Sequence, residues 1–167
     1  MRAAVVMLLA CTLVLGLAYP LAMTGAAQLA YPAKADGEAR LIARPQPRDL
    51  FQPRPSATGY ATDPTAFNNL GPNQRDLAAQ LRKAVRAYLR RERPSTPELT
   101  TARIPVDAVT SSASGVDPDI SEANALIQAR RVAKLRGLPL GRVQALVREH
   151  VSHGAVNVND LNRAVRR

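Results

Sequence analysis

Residues Ala3 to Met23 form an unbroken apolar run, AAVVMLLACTLVLGLAYPLAM, with no charged side chain and Thr12 as the one clear polar one. At about 1.5 Å per residue such a run reaches roughly 30 Å as a helix, the thickness of a bilayer's hydrocarbon core. A helix also satisfies its own backbone groups where no water can. The run is therefore expected to be a membrane helix over 3–23, preceded by a two-residue N-terminus, and it tethers everything after it to a membrane surface. A cleavable signal peptide would have a shorter apolar core of about 7 to 15 residues and a better small-residue site than Gly25-Ala26-Ala27. Leu8-Leu9-Ala10-Cys11 has the look of a lipoprotein box, but the apolar residues continue well past Cys11. A buried core helix is the remaining rival, and a small soluble domain seldom begins with an uncharged span of this length. Pro20 is expected to break one turn of the helix, with Tyr19 and Tyr31 placed as interfacial anchors.

Charge does not orient the span. Arg2 precedes it, while Lys34 and Arg40 follow it close to Asp36 and Glu38, so the positive-inside count is almost tied. Residues 24–167 leave about 140 residues, enough for one domain with a modest core. With only Phe51, Phe67 and four tyrosines for aromatics, that core must come from Ala, Val, Leu and Ile, which bury less area per residue. The net charge of +10 arises from 23 Lys plus Arg against 13 Asp plus Glu. Such a balance suits nucleic acid or anionic lipid. Arginine supplies 20 of those cations in a chain rich in Ala, Pro and Val, which has the look of a GC-rich coding bias. The chain lacks an aromatic platform, zinc spacing or a reader motif, so nucleic acid is not expected as a partner.

From Thr24 to Arg48 the chain is small, polar and proline-punctuated, a membrane-proximal connection over 24–50 with a short strand at Arg40 to Ala43. Phe51 to Tyr60 holds two prolines and Gly59 and reads as an ordered loop. Asn68-Asn-Leu-Gly-Pro72 repeats the turn chemistry and leads into a helix from Asn73 to Arg91. Leu77, Leu81, Val85, Tyr88 and Leu89 share one face of it, and Arg82, Lys83, Arg86, Arg90 and Arg93 run opposite. That stripe is either a solvated face or a contact for lipid phosphates or an acidic partner. Alternation at Ile104, Val106, Ala108 and Val109 predicts a short strand over Ile104 to Thr110. Ser121 caps a helix from Glu122 to Arg136, stopped by Gly137. A helix from Leu140 to His150, a loop Val156 to Asn159 and a helix from Asp160 to Val165 follow. The fold class is α+β: one N-terminal transmembrane helix, then a single small mixed domain over 51–167.

Catalytic chemistry is not legible. There is no P-loop and no Asp-Lys-Thr-Gly-Thr segment for an aspartyl-phosphate pump. Ser114, Asp117 and His150 have no spacing that supports a hydrolase triad, and His150 with His153 and Glu149 lacks further metal ligands. His150 is expected to pack and His153 to be wet. The serine-rich loop before Asp117, at the entry to a helix, is the one place where hydroxyls and amides can meet an oxyanion, and it equally serves as a capping turn.

These residues are collinear with one family. The chain resembles the C subunit of the Kdp-type bacterial potassium-transporting ATPase in Tyr19-Pro20-Leu21, Arg54-Pro-Ser-Ala-Thr-Gly-Tyr60, Asn69-Leu-Gly-Pro72 and Pro105-Val-Asp107. The likeness continues through Ser114-Gly-Val-Asp-Pro118 with Ile120-Ser121, Gln128 with Arg131-Val-Ala133, Glu149-His150, and Val156-Asn-Val158 with Leu161-Asn162. It departs from the family at Ala113, Asp119, Glu122 and Arg44, and a Gly-rich insertion is reduced to Val151-Ser-His-Gly-Ala155.

The resemblance implies a non-catalytic subunit of a high-affinity ATP-driven potassium importer, with its C-terminal domain outside the cytoplasm. The implied partners are a channel-like subunit, a P-type ATPase subunit, a small single-helix subunit and the bilayer. It implies an assembly role for Arg54, Pro55, Ser56, Asn69, Gly71, Asp117, Pro118 and Ser121. It also implies a part in ATP binding through Ser111, Ser112, Ser114, Gly115 and Gln128. ATP and potassium are then cofactor and cargo of the complex, with nothing bound firmly by this chain and no metal. The alternative is a membrane-anchored or secreted binding module unrelated to ion transport.

Overall fold

The computed structural model describes residues 1–32, 39–62 and 70–167. Lys34, Asp36 and Glu38, which entered the charge count, and Phe67, Asn68 and Asn69 lie outside the described residues. The chain divides into two compact units, Met1–Ala39 and Arg40–Arg167.

The first unit contains a long apolar helix, α1, Arg2–Ala30, none of whose side chains is buried. At about 1.5 Å per residue its 29 residues exceed the roughly 30 Å hydrocarbon core. Pro20 does not break it. The turn just before, Val14–Ala18, is π-helical, and the Tyr19 amide reaches back five residues to the Val14 carbonyl. The wider turn absorbs a proline that has no amide to donate and whose ring crowds the preceding turn. Thr12 donates its hydroxyl to the Leu8 carbonyl at 2.8 Å, which satisfies it within the apolar run.

In the second unit, α2 spans Arg75–Glu92, β1 Asp119–Ser121, α3 Glu122–Arg136 and α4 Leu140–Glu149. They are followed by β2 Val151–Ser152, β3 Ala155–Asn157 and α5 Val158–Val165. The three strands form one antiparallel sheet in the order β1-β3-β2, with Ile120 opposite Val156 and Ser152 opposite Ala155. The β2–β3 hairpin turns on His153 and Gly154, both at positive φ (52° and 79°). A two-residue loop of that kind matches the twist of its strands. Val151-Ser-His-Gly-Ala155 is thus a minimal hairpin.

Helix α3 forms where its local signals place it. The Ser121 Oγ accepts the Asn124 amide at 3.1 Å, and Gly137 closes the other end at φ 64°. Its Ala125, Ala129 and Val132 pack with Val143 and Val147 of α4, Leu161 and Val165 of α5, Ile120, Val156 and Phe51. A smaller cluster joins Tyr88 of α2 to Leu99 and Ala108. The core is aliphatic apart from Phe51 and Tyr88, as composition requires.

Three local expectations are corrected. Ile104–Thr110 is not a strand: it holds a 3₁₀ turn at Val106–Ala108, following another at Thr101–Arg103. Val106 is exposed, and the turn carries Asp107, which bonds Ser121 and Asn124 at the start of α3. Arg40 to Ala43 is a 3₁₀ turn, Ala39–Leu41, and then an irregular stretch, whose Ala43 amide donates to the Val116 carbonyl. Val156–Asn159 is not a loop either. It ends β3 and opens α5, because the Asn157 side chain accepts the Asn159 and Asp160 amides and so caps the helix two residues earlier than expected.

Candidate functional site

The segment Leu50–Gln52 joins no sheet or helix, so its backbone groups need partners from elsewhere. Side chains supply them. The Asn162 amide brackets Phe51, accepting its N–H at 2.8 Å and donating to its carbonyl at 3.0 Å. Gln128 does the same for Gln52, at 2.8 and 3.1 Å. Arg131 donates through Nη1 to the Leu50 carbonyl at 3.0 Å and to the Arg48 carbonyl.

These side chains belong to one buried network. Asn124, Gln128 and Arg131 stand at i, i+4 and i+7 on one face of α3. Gln128 Nε2 donates to Asn124 Oδ1 at 3.0 Å, and Arg131 Nη2 donates to Gln128 Oε1 at 2.9 Å. Arg131 Nε meets both oxygens of Glu92 at 3.0 and 3.1 Å. Tyr88 donates to Asn124 Oδ1 at 2.9 Å. The Asp107 carboxylate accepts from the Ser121 amide, the Ser121 hydroxyl and Asn124 Nδ2 at 3.0, 2.7 and 2.8 Å. A carboxylate at the N-terminus of α3 also meets the positive end of the helix dipole. Burial pushes the Tyr88 phenol well above the ordinary tyrosine range, helped by the Glu92 charge. Burial lowers the Arg131 guanidinium, against the opposing pull of Glu92.

A second assembly lies nearer the surface, where two loops far apart in sequence meet. Arg54 Nη1 pairs with Asp117 Oδ2 at 3.2 Å, and its Nη2 reaches Thr110 Oγ1 at 3.4 Å and the Ser111 carbonyl at 3.3 Å. Asp117 Oδ1 in turn accepts the Asp119 amide at 3.0 Å across Pro118. On the first loop, Ser56 Oγ accepts the Thr58 and Tyr60 amides at 3.2 and 2.8 Å, and the Tyr60 hydroxyl donates to the Arg54 carbonyl at 2.8 Å. Tyr60 sits at φ 67°, an uncommon conformation for a bulky residue, held by that hydroxyl and the Ser56 oxygen. Burial raises the Tyr60 phenol, opposed by Arg91. Gly115, at φ 71°, lies so close that a Cβ there would come within 2.7 Å of Thr58 Oγ1.

The sequence-predicted residues divide between these assemblies. Arg54, Ser56, Gly115 and Asp117 are joined in the loop pair, and Ser111 belongs to it through its carbonyl. Pro55 lines a recess of about 230 Å³ with Tyr60 and Tyr88. Ser112 and Ser114 stay within their own turn, the Ser112 carbonyl accepting the Gly115 amide and Ser114 Oγ the Val116 amide. Gly71 is elsewhere, in the turn before α2 with Gln74, and the Pro118 carbonyl accepts the first amide of α5. Ser121 and Gln128 belong to the buried network. All four hydrogen-bonding positions of the Gln128 amide are used there, and the described residues show no bond from it to Ser111–Gly115. His150 is half-buried and donates through Nδ1 to the Leu146 carbonyl at 2.8 Å, and His153 is exposed in the hairpin.

Sequence reasoning missed Asp107, Asn124, Arg131, Glu92 and Asn162 as parts of a site. The readable signal was the polar series 124, 128, 131 on an otherwise aliphatic helix face. Glu92 carried a weaker one, four residues beyond Tyr88 on the packed face of α2.

The whole chain, residues 1–167, matches the family model described as KdpC, K+-transporting ATPase, c chain. A potassium-transporting ATPase KdpC subunit from Methanosphaerula palustris is 40% identical over 185 aligned residues, covering 99% of this chain and 95% of that protein. The Kineococcus radiotolerans KdpC subunit is 42% identical, covering 99% and 92%. That of Caulobacter sp. strain K31 is 44% identical over 81% of this chain and 73% of its own length.

Proposed function

Because the chain belongs to the KdpC family of potassium-transporting ATPase subunits, we propose that it is the pump's non-catalytic assembly subunit, held at the membrane by α1. The observation that supports this most directly is the loop pair. Arg54, Asp117, Ser56, Tyr60 and Gly115 lock two surface loops to each other by their own hydrogen bonds and close packing. Loops ordered before binding have less freedom to lose at an interface, so more of the contact energy survives as affinity.

In this reading the partners are a channel-like subunit, a P-type ATPase subunit and a small single-helix subunit, and the Arg40–Arg167 domain lies outside the cytoplasm. ATP and potassium are handled by the complex. A share in ATP binding would rest on the Ser111–Gly115 turn, where Ser111 and Ser114 are exposed, because Gln128 is committed to Gln52, Asn124 and Arg131. Gly71, Ser121 and Pro118 act by shaping the fold around the docking loops.

Gentle detergent extraction tests the assembly role. The chain should purify with a channel-like subunit and a P-type ATPase subunit, and its deletion should abolish potassium-stimulated ATPase activity. Gly115→Val or Asp117→Ala should release it from the complex while α1 still holds it in the membrane. A chain that purifies alone, with high-affinity potassium uptake unchanged by its deletion, would overturn the reading.

A further inference from the structure

The C-terminal end of α2 packs near α3 in a corner whose polar walls are almost wholly cationic. One recess of about 260 Å³ is lined by Arg48, Arg90, Arg91, Arg131 and Lys134. A wider one of about 670 Å³ adjoins it, shares Arg90 and Pro94, and adds Arg86 and Arg93. Among the described residues, no carboxylate lines either.

The charges are not balanced within the described residues. Glu92, fully buried behind the corner, is shared by Arg91 and Arg131. Lys134 and Arg93 reach only the Pro94 and Leu99 carbonyls, at 3.2 and 3.1 Å. The neighbouring acids are engaged outside it, Asp49 with Arg136 and Glu98 with Arg130. The side chains of Arg48, Arg86 and Arg90 make no hydrogen bond or ion pair with any described residue. Basic residues in the last turn of α2 complement the helix dipole, but that amounts to about half a charge and leaves most of the surplus. On a flat face such cations would simply be solvated. Here they line connected hollows, and six of the seven are arginines, whose planar fork suits two oxygens of one phosphate.

We propose that this corner binds the phosphate of an anionic phospholipid headgroup, with Arg48 and Arg90 as its direct ligands. The chain's own span tethers the domain to a bilayer, which makes headgroup phosphate the oxyanion in largest local supply, and a basic pocket on a membrane-tethered domain fits that chemistry. The proposal is independent of subunit assembly: Arg48 and Arg90 lie outside the Arg54–Asp117 loop pair.

The test uses the full chain in a neutral detergent, incubated with equal amounts of phosphatidylglycerol and phosphatidylcholine, with retained lipid counted by native mass spectrometry. Phosphatidylglycerol should be retained in preference. The pair Arg48→Ala and Arg90→Ala should cut that retention about tenfold, while Arg75→Ala with Lys83→Ala, which removes equal charge from α2 outside the corner, should leave it unchanged. Neither Arg48 nor Arg90 supports the fold through its side chain, so the thermal melt and the co-purifying subunits should stay as in the parent. Equal losses in the two pairs would mean diffuse attraction and overturn the site, as would no loss in either. Displacement of the lipid by an equal concentration of inorganic phosphate would assign the corner to the free ion. Displacement by an acidic peptide would assign it to a protein surface, and either result overturns the lipid proposal.

Discussion

The two polar assemblies use the same chemistry in different surroundings. Each centres on an arginine–carboxylate pair at close range, Arg131–Glu92 at 3.0 Å and Arg54–Asp117 at 3.2 Å. The first pair is 4% and 0% exposed, the second 25% and 31%. Inside, every donor must be met, because a buried polar group left unpaired costs more than a made hydrogen bond contributes. That network therefore fixes one arrangement of the 48–52 segment, α2 and α3. At the surface, water can replace a lost partner, so the loop pair contributes little stability and instead holds a shape. On the proposed reading, stability and interface thus reside in different residues, and substitutions can separate them.

The sharpest way to break that separation is Arg131→Ala. It leaves Glu92 charged and buried, with only the partly exposed Arg91 to answer it, and strips the Arg48 carbonyl of its donor and the Leu50 carbonyl of one of its two. The expected cost is about 3–5 kcal/mol, read from denaturant unfolding of the full chain in detergent. Asp117→Ala should cost under about 1 kcal/mol by the same measurement, because its ion pair is partly solvated. Equal costs would mean that burial does not distinguish the two pairs.

Gly115→Ala probes the contact between the loops. Its φ of 71° strains any side chain, and the new Cβ would lie 2.7 Å from Thr58 Oγ1 and 3.3 Å from Thr58 Cγ2. We expect a loss of about 1–3 kcal/mol, partly sterical and partly backbone. Adding Thr58→Ala should recover the steric part alone, so that the double variant costs less than the sum of the singles. Strict additivity would show that the two loops do not touch in solution.

What sequence made legible follows the range of the forces involved. The ends of α3 were readable because Ser121 and Gly137 act within one turn of themselves. The apolar span was readable because length and charge alone define it. The Ile104–Thr110 stretch misled because its alternation is real while its conformation is set by Asp107 reaching Ser121 and Asn124, 14 and 17 residues on. The Leu50–Gln52 backbone was unreadable for the same reason, its partners lying as far away as Asn162, 111 residues on. Of the candidate site, the motifs Arg54–Tyr60 and Ser114–Pro118 were visible singly, but their meeting was not. Gln128 was singled out by resemblance alone, and its four hydrogen bonds to Gln52, Asn124 and Arg131 could not be read from the sequence.

The smallest effect separates the assemblies by pH. Tyr88 in the network and Tyr60 in the loop pair both have raised pKa values, chiefly from burial, and the Tyr88 rise is the larger, with the Glu92 and Asp107 charges adding to it. A raised phenol pKa means that the folded chain holds its proton more tightly than the unfolded one. The stabilisation is therefore complete below the ordinary tyrosine value of roughly 10 and is lost as pH rises above it. Unfolding midpoints should hold steady from neutral pH to about 10 and then fall. Tyr88→Phe should cost about 1 kcal/mol at neutral pH, since Asn124 Oδ1 keeps its bond from Gln128 when the phenol is removed. Above that pH the variant should lose stability less steeply than the parent, because the group whose ionisation drives the fall is gone. Tyr60→Phe should flatten the fall by a smaller amount. If Tyr88→Phe leaves the alkaline slope unchanged, Tyr88 is not held protonated by the network, and burial there is weaker than its contacts imply.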